Sequence, residues 1–369
     1  MIKNYLSVFV LLSVYACNSD VKLASDNQSA QDHILTKTQA DIVFEMTKVF
    51  PNQTQVSIAL IENGVAQFYG IKRVNDTVIG VENKENVFEI GSISKAFTGT
   101  LLANAAINNN LDIEDPINNY IDFSLKNDIK ISFKALANHT SGLSRMPSNF
   151  DSYMDDTDNP FKNYHLKELK EYLMDDLELS KNPGEKNEYS NLGVGLLGYV
   201  LASMEKTTYQ NLIDEEIFSK YNMSSSTTDR SQVSSKLVHG LNEKGEEVSN
   251  WDLSILVGAG GILSTVQDLS KFIIAQFDES NKELALSRIK TFTINEKFDV
   301  ALGWHIRKNE DKPEWYWHNG GTGGYSSSLV FNTETKNGIV ILSNVTAYSE
   351  NMGNIDSLCF ELMKTIEEN

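Results

Sequence analysis

The sequence predicts an α/β (α+β) fold, an antiparallel sheet flanked by helices and interrupted by an inserted all-helical lobe. Three observations predict it. Strand-type apolar runs lie at the two ends of the body, each end carrying an Asn-Gly pair, Asn63-Gly64 and Asn337-Gly338. Between them, from about 109 to 245, the chain shows helical spacing and polar loops, with no long alternating run. Residues 92–107 are apolar on nearly every side, as a fully buried helix is. Strands at both ends with helices between them require the first and last thirds to share one sheet. A ligand cleft is then expected between the sheet part and the lobe.

Taken in order, Lys3 precedes the apolar stretch Tyr5–Val14, which runs into Val14-Tyr15-Ala16-Cys17. A positive start, a short apolar core and a small residue before a cut read as a secretory signal, too short to span a bilayer. A cysteine directly after the small residue resembles the bacterial lipobox. Residues 1–17 are accordingly a lipoprotein signal peptide, Cys17 is the lipidated N-terminus, and polar residues 18–36 form a tether. The body spans 37–367. Thr38 is placed to cap a helix through Ile42, Met46 and Phe50. Val56–Ile61 and Val65–Tyr69 form a hairpin around Asn63-Gly64. Strand character returns at Leu302–Ile306, Trp315–Trp317, Ser327–Phe331 and Ile339–Leu342, the last pair joined across Asn337-Gly338. An amphipathic stretch from about Met352 to Ile366 closes the chain, with Cys359 as a small core residue. The sheet part is thus 37–108 plus 246–367, and the lobe 109–245.

Composition narrows the function classes. With 41% hydrophobic and 22% charged residues in 369, the chain has ample material for a core and is not disordered. Its 32 basic and 50 acidic residues give a formal charge of -18, which repels phosphate backbones and argues against a nucleic-acid interface. Two cysteines rule out a disulfide framework and a Cys-rich zinc cage. The six histidines are scattered, and the sequence contains no G-x-S-x-G, H-E-x-x-H or G-x-x-x-x-G-K. No metal or organic cofactor is expected.

Three segments carry chemistry. In Phe88-Glu89-Ile90-Gly91-Ser92-Ile93-Ser94-Lys95, helical spacing brings Lys95 one turn from the Ser92 hydroxyl. A serine is a poor nucleophile until a neighbouring base helps remove its proton. A helix start adds backbone N–H groups aimed at developing negative charge. The Ser-x-x-Lys spacing also begins at Ser19, Ser203 and Ser287, which lack the preceding glycine and the buried helix that follows. In Glu188-Tyr189-Ser190-Asn191, a phenol near an ammonium has its pKa lowered and acts as a general base, with Asn191 beside it. Tyr209-Gln210-Asn211 repeats the triplet inside an amphipathic helical run and reads as structure. In Trp317-His318-Asn319-Gly320-Gly321-Thr322-Gly323-Gly324-Tyr325, four glycines allow a backbone to approach a ligand.

These three segments, in this order, resemble the serine penicillin-recognising family. They are similar above all to its class C beta-lactamase and D-alanyl-D-alanine carboxypeptidase branch, which also contains D-aminopeptidases and esterases. Leu136-Ala137-Asn138-His139-Thr140-Ser141-Gly142-Leu143 and Gly258-Ala259-Gly260-Gly261-Ile262-Leu263-Ser264-Thr265 support the likeness, which covers roughly residues 38–345. The resemblance implies a beta-lactamase/D,D-peptidase-like fold and a role for each position. Ser92 is then the acylated nucleophile, Lys95 its electrostatic partner and Tyr189 the general base. Asn191 positions the substrate amide, and His139 is structural. His318 and Gly320 are substrate-binding positions, and His318 stands where the family most often has lysine. The backbone N–H groups of Ser92 and Gly321 form the oxyanion hole. A histidine of ordinary pKa, about 6.5, offers a substrate carboxylate only part of a charge. This weakens the beta-lactamase expectation and predicts a KM for carboxylate substrates that rises through pH 6–7.

The resulting expectation is a cell-envelope serine hydrolase, lipid-anchored to a membrane through Cys17, acting through an acyl-serine intermediate on a small-molecule or peptide substrate. D-amino-acid amides such as D-alanyl-D-alanine termini lead, with beta-lactams and esters as alternatives. A penicillin-binding sensor without turnover and a non-enzymatic lipoprotein scaffold are the competing classes. No protein partner is implied.

Overall fold

Ile58 and Leu60 of the first long strand lie opposite Ile341 and Ile339 of the last, so the two ends of the body share one sheet, as the sequence predicts. In this computed structural model, which describes residues 23–29, 34–108, 111–309 and 312–368, that sheet has ten strands. The strands run, in chain order, β1 (Asp26–Gln28), β2 (Gln55–Glu62), β3 (Val65–Val74) and β4 (Thr77–Gly80). A separate ribbon pairs β5 (Phe88–Glu89) with β6 (Leu263–Ser264). Then come β7 (Phe292–Thr293), β8 (Phe298–Val300), β9 (His305–Asn309), β10 (Lys312–Gly321), β11 (Ser326–Asn332) and β12 (Asn337–Ser343). The spatial order is β1-β4-β3-β2-β12-β11-β10-β9-β8-β7. Only the β1–β4 pair is parallel.

Alternation along the central strands builds two cores. Val56, Ile58, Leu60, Ile339 and Ile341 face α1 (Lys37–Thr47) and α9 (Gly353–Glu367), packing with Val43, Leu358, Leu362 and the buried Cys359. Ala59, Ile61, Val340 and Leu342 point the other way, toward α2 (Ser94–Asn108) and α7 (Val266–Ala275). There Phe97 stacks on Phe272 at 4.2 Å between ring centroids. Helix α2 is buried from Ser94 to Asn104, as its all-round apolar sequence requires. It joins this core to the lobe, which carries α3 (Phe133–Ala137), α4 (Leu166–Glu171), α5 (Asn191–Met204) and α6 (Tyr209–Ile213). A short helix, α8 (Lys282–Ser287), completes this side.

Four expectations need correction. Thr36, not Thr38, caps α1, because Gln39 returns the hydrogen bond: the Gln39 N–H donates to Thr36 Oγ1 and the Thr36 N–H to Gln39 Oε1. Leu302 lies before β9, in the turn that leads to His305. Asn337 and Gly338 belong to β12 itself; the turn is the four residues before them, closing at Lys336 with φ +57°. The amide of Asn337 instead ties two hairpins together by accepting the Asn63 N–H at 2.9 Å. Finally, residues 26–28 of the expected tether are strand β1, paired to the free edge of β4, with Ala24 and Ser29 buried and the Tyr69 hydroxyl donating to the Ser29 carbonyl. An exposed strand edge is a template for such pairing.

Candidate active site

Three elements converge where the cleft was expected. Ser92 sits in a 3-10 turn, Gly91–Ile93, that leads directly into α2. The next helical turn places Lys95 Nζ 3.0 Å from Ser92 Oγ. From the lobe, Ser190 caps α5 by accepting the Gly193 N–H, which fixes Tyr189 just before the helix and Asn191 as its first residue. From the sheet, the end of β10 presses against the serine turn. Gly91 has φ +52°, and a Cβ there would lie 2.5 Å from Gly321 N; a Cβ on Gly320 would lie 2.8 Å from Ser92 N. Both positions require glycine, one for its backbone angle and the other for space. The Ser92 and Gly321 amides therefore border one small hollow, which Asn191, Trp251, Leu253, Ala259 and Thr322 also line.

Lys95 is wholly buried, with three neighbours. Nζ donates to Asn191 Oδ1 at 2.9 Å and to the Ala259 carbonyl at 2.6 Å, and meets Ser92 Oγ as the third. Burial, helped by the cationic Arg145, drives its pKa well below the ordinary lysine value. Nζ is the donor in all three contacts, and once it has given up a proton its free lone pair could receive the Ser92 hydroxyl proton.

Tyr189 departs from expectation. Lys95 Nζ lies 4.8 Å from its ring centroid and Arg145 Cζ 5.1 Å, so two cationic side chains border the ring. Yet burial dominates and pushes the phenol up to about 12, against smaller downward effects of a hydrogen bond with Ser92 and of Arg145. The predicted lowering fails because the cost of desolvating the buried phenolate outweighs what Ser92 and Arg145 supply. His139 packs its ring 4.4 Å from that of Tyr189, and its Nδ1 accepts the Ser190 N–H at 3.2 Å. That is the structural role the sequence suggested.

His318 is also corrected. It lies on β10 and is buried, with Nδ1 2.6 Å from the Asn319 carbonyl, so Nδ1 carries a proton and donates. Its Nε2 has no partner among the described residues. Burial first, then the nearby His305 and Lys95, lowers its pKa well below 6.5. Its titration is therefore shifted below the ordinary imidazole range, away from pH 6–7 where the rise of KM was expected.

The alternatives set aside in the sequence stay apart. Tyr209 shares its hydroxyl with Thr98 Oγ1 at 2.7 Å inside the lobe core. The Ser287 hydroxyl donates to the Leu284 carbonyl within α8. Ser19 and Cys17 lie outside the described residues. Three contributors were missed: the Ala259 carbonyl, His305 and Arg145. The first is a backbone atom, and the other two come from segments without a motif. A larger cavity of about 830 Å³ opens on the far side of Trp251 and Leu253, lined by Tyr199, Gln210 and Val257 among others. It does not contain Ser92.

The profile of the Beta-lactamase family matches residues 54–356, a span that includes all three segments. The chain belongs to the beta-lactamase family. It is 26% identical over 334 residues to the protein flp of Staphylococcus aureus strain MW2, covering 85% of this chain and 64% of that protein. The chain therefore spans less than two thirds of the length of that relative. A beta-lactamase of Pseudomonas fluorescens is 25% identical over 260 residues, covering 68% of this chain and 69% of the enzyme. The crystal structure of a beta-lactamase/D-alanine carboxypeptidase from Pseudomonas syringae superposes with a TM-score of 0.71 at 22% identity, over 89% of this chain and 97% of that one. The large sheet flanked by helices, with its helical lobe, is the fold these proteins share.

Proposed function

We propose that the protein is a cell-envelope serine hydrolase, anchored through a lipidated Cys17, that cleaves D-amino-acid amides such as D-alanyl-D-alanine termini through an acyl-serine intermediate. The contact between Lys95 Nζ and Ser92 Oγ at 3.0 Å, with the amine's other partners both carbonyl oxygens, carries this reading. As Ser92 Oγ attacks the substrate carbonyl carbon, its proton passes to the Lys95 amine. The oxyanion forms at the hollow bordered by the Ser92 and Gly321 amides. A donor of that kind is worth about 10²–10³ in rate. Tyr189, a phenol at neutral pH, relays a proton to the departing amine as the C–N bond breaks. Water then releases the acyl group by the reverse route. Among the described residues, Asn191 Nδ2 has only the Met146 sulfur, at 3.8 Å, as a partner, so it can exchange that weak contact for a substrate carbonyl.

The neutral His318 favours a second reading, an esterase acting on substrates whose leaving group has no carboxylate. One purified sample assayed on a D-alanyl-D-alanine peptide, a chromogenic cephalosporin and a short-chain p-nitrophenyl ester separates the two from a beta-lactamase. Turnover of the peptide is the expected result, and turnover of the ester alone selects the second reading. A fluorescent penicillin or fluorophosphonate probe should label Ser92 and fail on Ser92→Ala. An adduct mapped to another serine would overturn both readings. Membrane fractionation of wild type and Cys17→Ala tests the anchor, which is lost if both are soluble.

A further inference from the structure

Among the described residues, Arg145 is the arginine that lies against a residue of the site, the Tyr189 ring. Arg73 donates to the carbonyls of Phe50 and Asn75, and Arg230 pairs with Asp252. Arg288 donates to the Leu284 carbonyl, and Arg307 lies against the Trp315 and Phe360 rings. Arg145 is exposed and meets only the Tyr189 ring, at 5.1 Å. Among the described residues its guanidinium has no hydrogen-bond acceptor and no acid within ion-pair distance, in a chain with 50 acidic residues. Its backbone is nevertheless held firmly. The Arg145 carbonyl accepts the N–H groups of Asn191 and Leu192 at 3.0 and 3.2 Å, and the Ser190 hydroxyl donates to the carbonyl of Ser144 at 2.7 Å. A cation whose backbone is clamped beside Asn191, and whose guanidinium has no acceptor among the described residues, thus borders the site at the Tyr189 ring.

We infer that Arg145 is a binding site for an anionic group, a carboxylate, in the acyl part of the substrate. The inference rests on the hydrolase reading above and specifies its substrate. Geometry selects the acyl side. The Asn191 N–H donates to the Arg145 carbonyl, and Asn191 is the residue read above as meeting the carbonyl of the acyl donor, so that part of the substrate lies nearer Arg145. The chemistry selects carboxylate, because a planar fork of N–H groups binds it in two parallel hydrogen bonds.

The test is a discrimination ratio. Two acyl esters that differ only by succinyl against acetyl on the acyl amine are compared by kcat/KM, and a second pair differs only by a carboxylate on the phenol leaving group. Wild type should prefer the succinyl donor. Arg145→Ala should cut that preference about tenfold or more, on the scale of a charge-assisted hydrogen bond. Arg145→Glu should invert it, and Arg145→Lys should retain part of it. The leaving-group ratio should stay as in wild type. Equal succinyl preference in wild type and Arg145→Ala overturns the inference, as does a change confined to the leaving-group pair. Probe labelling of Ser92 in every variant shows that the catalytic unit is intact. Absence of that labelling in the wild type itself removes the hydrolase reading, a different failure from an unmoved ratio.

Discussion

The chain contains the Tyr-x-Asn triplet twice in the same lobe, and both copies contact helix α2, three residues apart. Tyr189 lies beside Lys95, whose amine donates to the Ala259 carbonyl. Tyr209 bonds Thr98, whose hydroxyl donates to the neighbouring Gly258 carbonyl. Both triplets stand at a helix start with a hydroxyl cap, but Ser190 caps α5 from within its triplet, leaving Tyr189 outside the helix, whereas Thr208 caps α6 ahead of Tyr209, which is its first residue. One phenol meets an amine, a serine and the cleft; the other meets a threonine in a sealed core. Burial raises the pKa of both, so the phenol does not distinguish them. The difference lies in the residue on α2 that each one meets.

The largest expected effect comes from replacing that residue. Lys95→Met should slow acylation of Ser92 by about 10⁴ or more, the scale on which one member of a coupled nucleophile and base acts. Stopped-flow labelling measures it. Acylation by wild type should rise with pH as the amine loses its proton, through a midpoint well below the ordinary lysine value, because burial disfavours the charged form. An unchanged rate in Lys95→Met would make the two tyrosine sites chemically equivalent and end the comparison.

Tyr189→Phe and Tyr209→Phe come next. The first should slow acylation by about 10²–10⁴, the usual contribution of a positioned proton carrier. It should also keep the acid limb of the wild-type pH profile, because that limb belongs to the Lys95 amine. A limb that vanishes with the phenol would return the base role to Tyr189. Tyr209→Phe should leave acylation near wild type and lower stability by about 1 kcal/mol, one buried hydrogen bond. Equal kinetic losses in both variants, with folding intact, would show that the sequence reading chose the wrong triplet.

These contrasts mark what the sequence could reveal. The hairpin at Asn63-Gly64, the buried helix after Ser92 and the pairing of the two ends were legible because turn chemistry and periodicity are local. The same reasoning failed at Asn337-Gly338, where a four-residue turn precedes the pair and tertiary hydrogen bonds recruit the asparagine into β12. It failed at residues 26–28 because nothing local announces that the edge of β4 lies open to them. In the site, Ser92, Lys95, Tyr189 and Asn191 came together as their spacing and order suggested. Their proton affinities did not follow, since burial is a property of the assembled cleft. Arg145 was invisible for a related reason: its meaning lies in the absence of an acid beside it.

His318 provides the finest test, because it asks whether the β10 side of the cleft carries charge as the Arg145 side does. Its ring meets the Asn319 carbonyl through Nδ1, and the groups acting on it are His305, Lys95 and His139, each of which disfavours a second proton. The folded-state pKa is thus depressed below 6.5, and the ring gains its charge only in more acidic solution. Two consequences follow in sign. KM for substrates with a leaving-group carboxylate should be flat from pH 6 to 8 and should fall below that range, as His318 becomes cationic. Stability should decline as pH drops below about 6.5, because the unfolded chain takes up the proton first. His305, whose pKa is lowered to about 4 by burial and Lys95, adds to the same decline. Measured KM for the leaving-group pair over pH 4–8, in wild type and His318→Gln, decides the point. The variant should lose the acidic fall in KM, and a wild-type KM that climbs tenfold between pH 6 and 7 would show an ordinary, accessible imidazole where the structure places a buried neutral one.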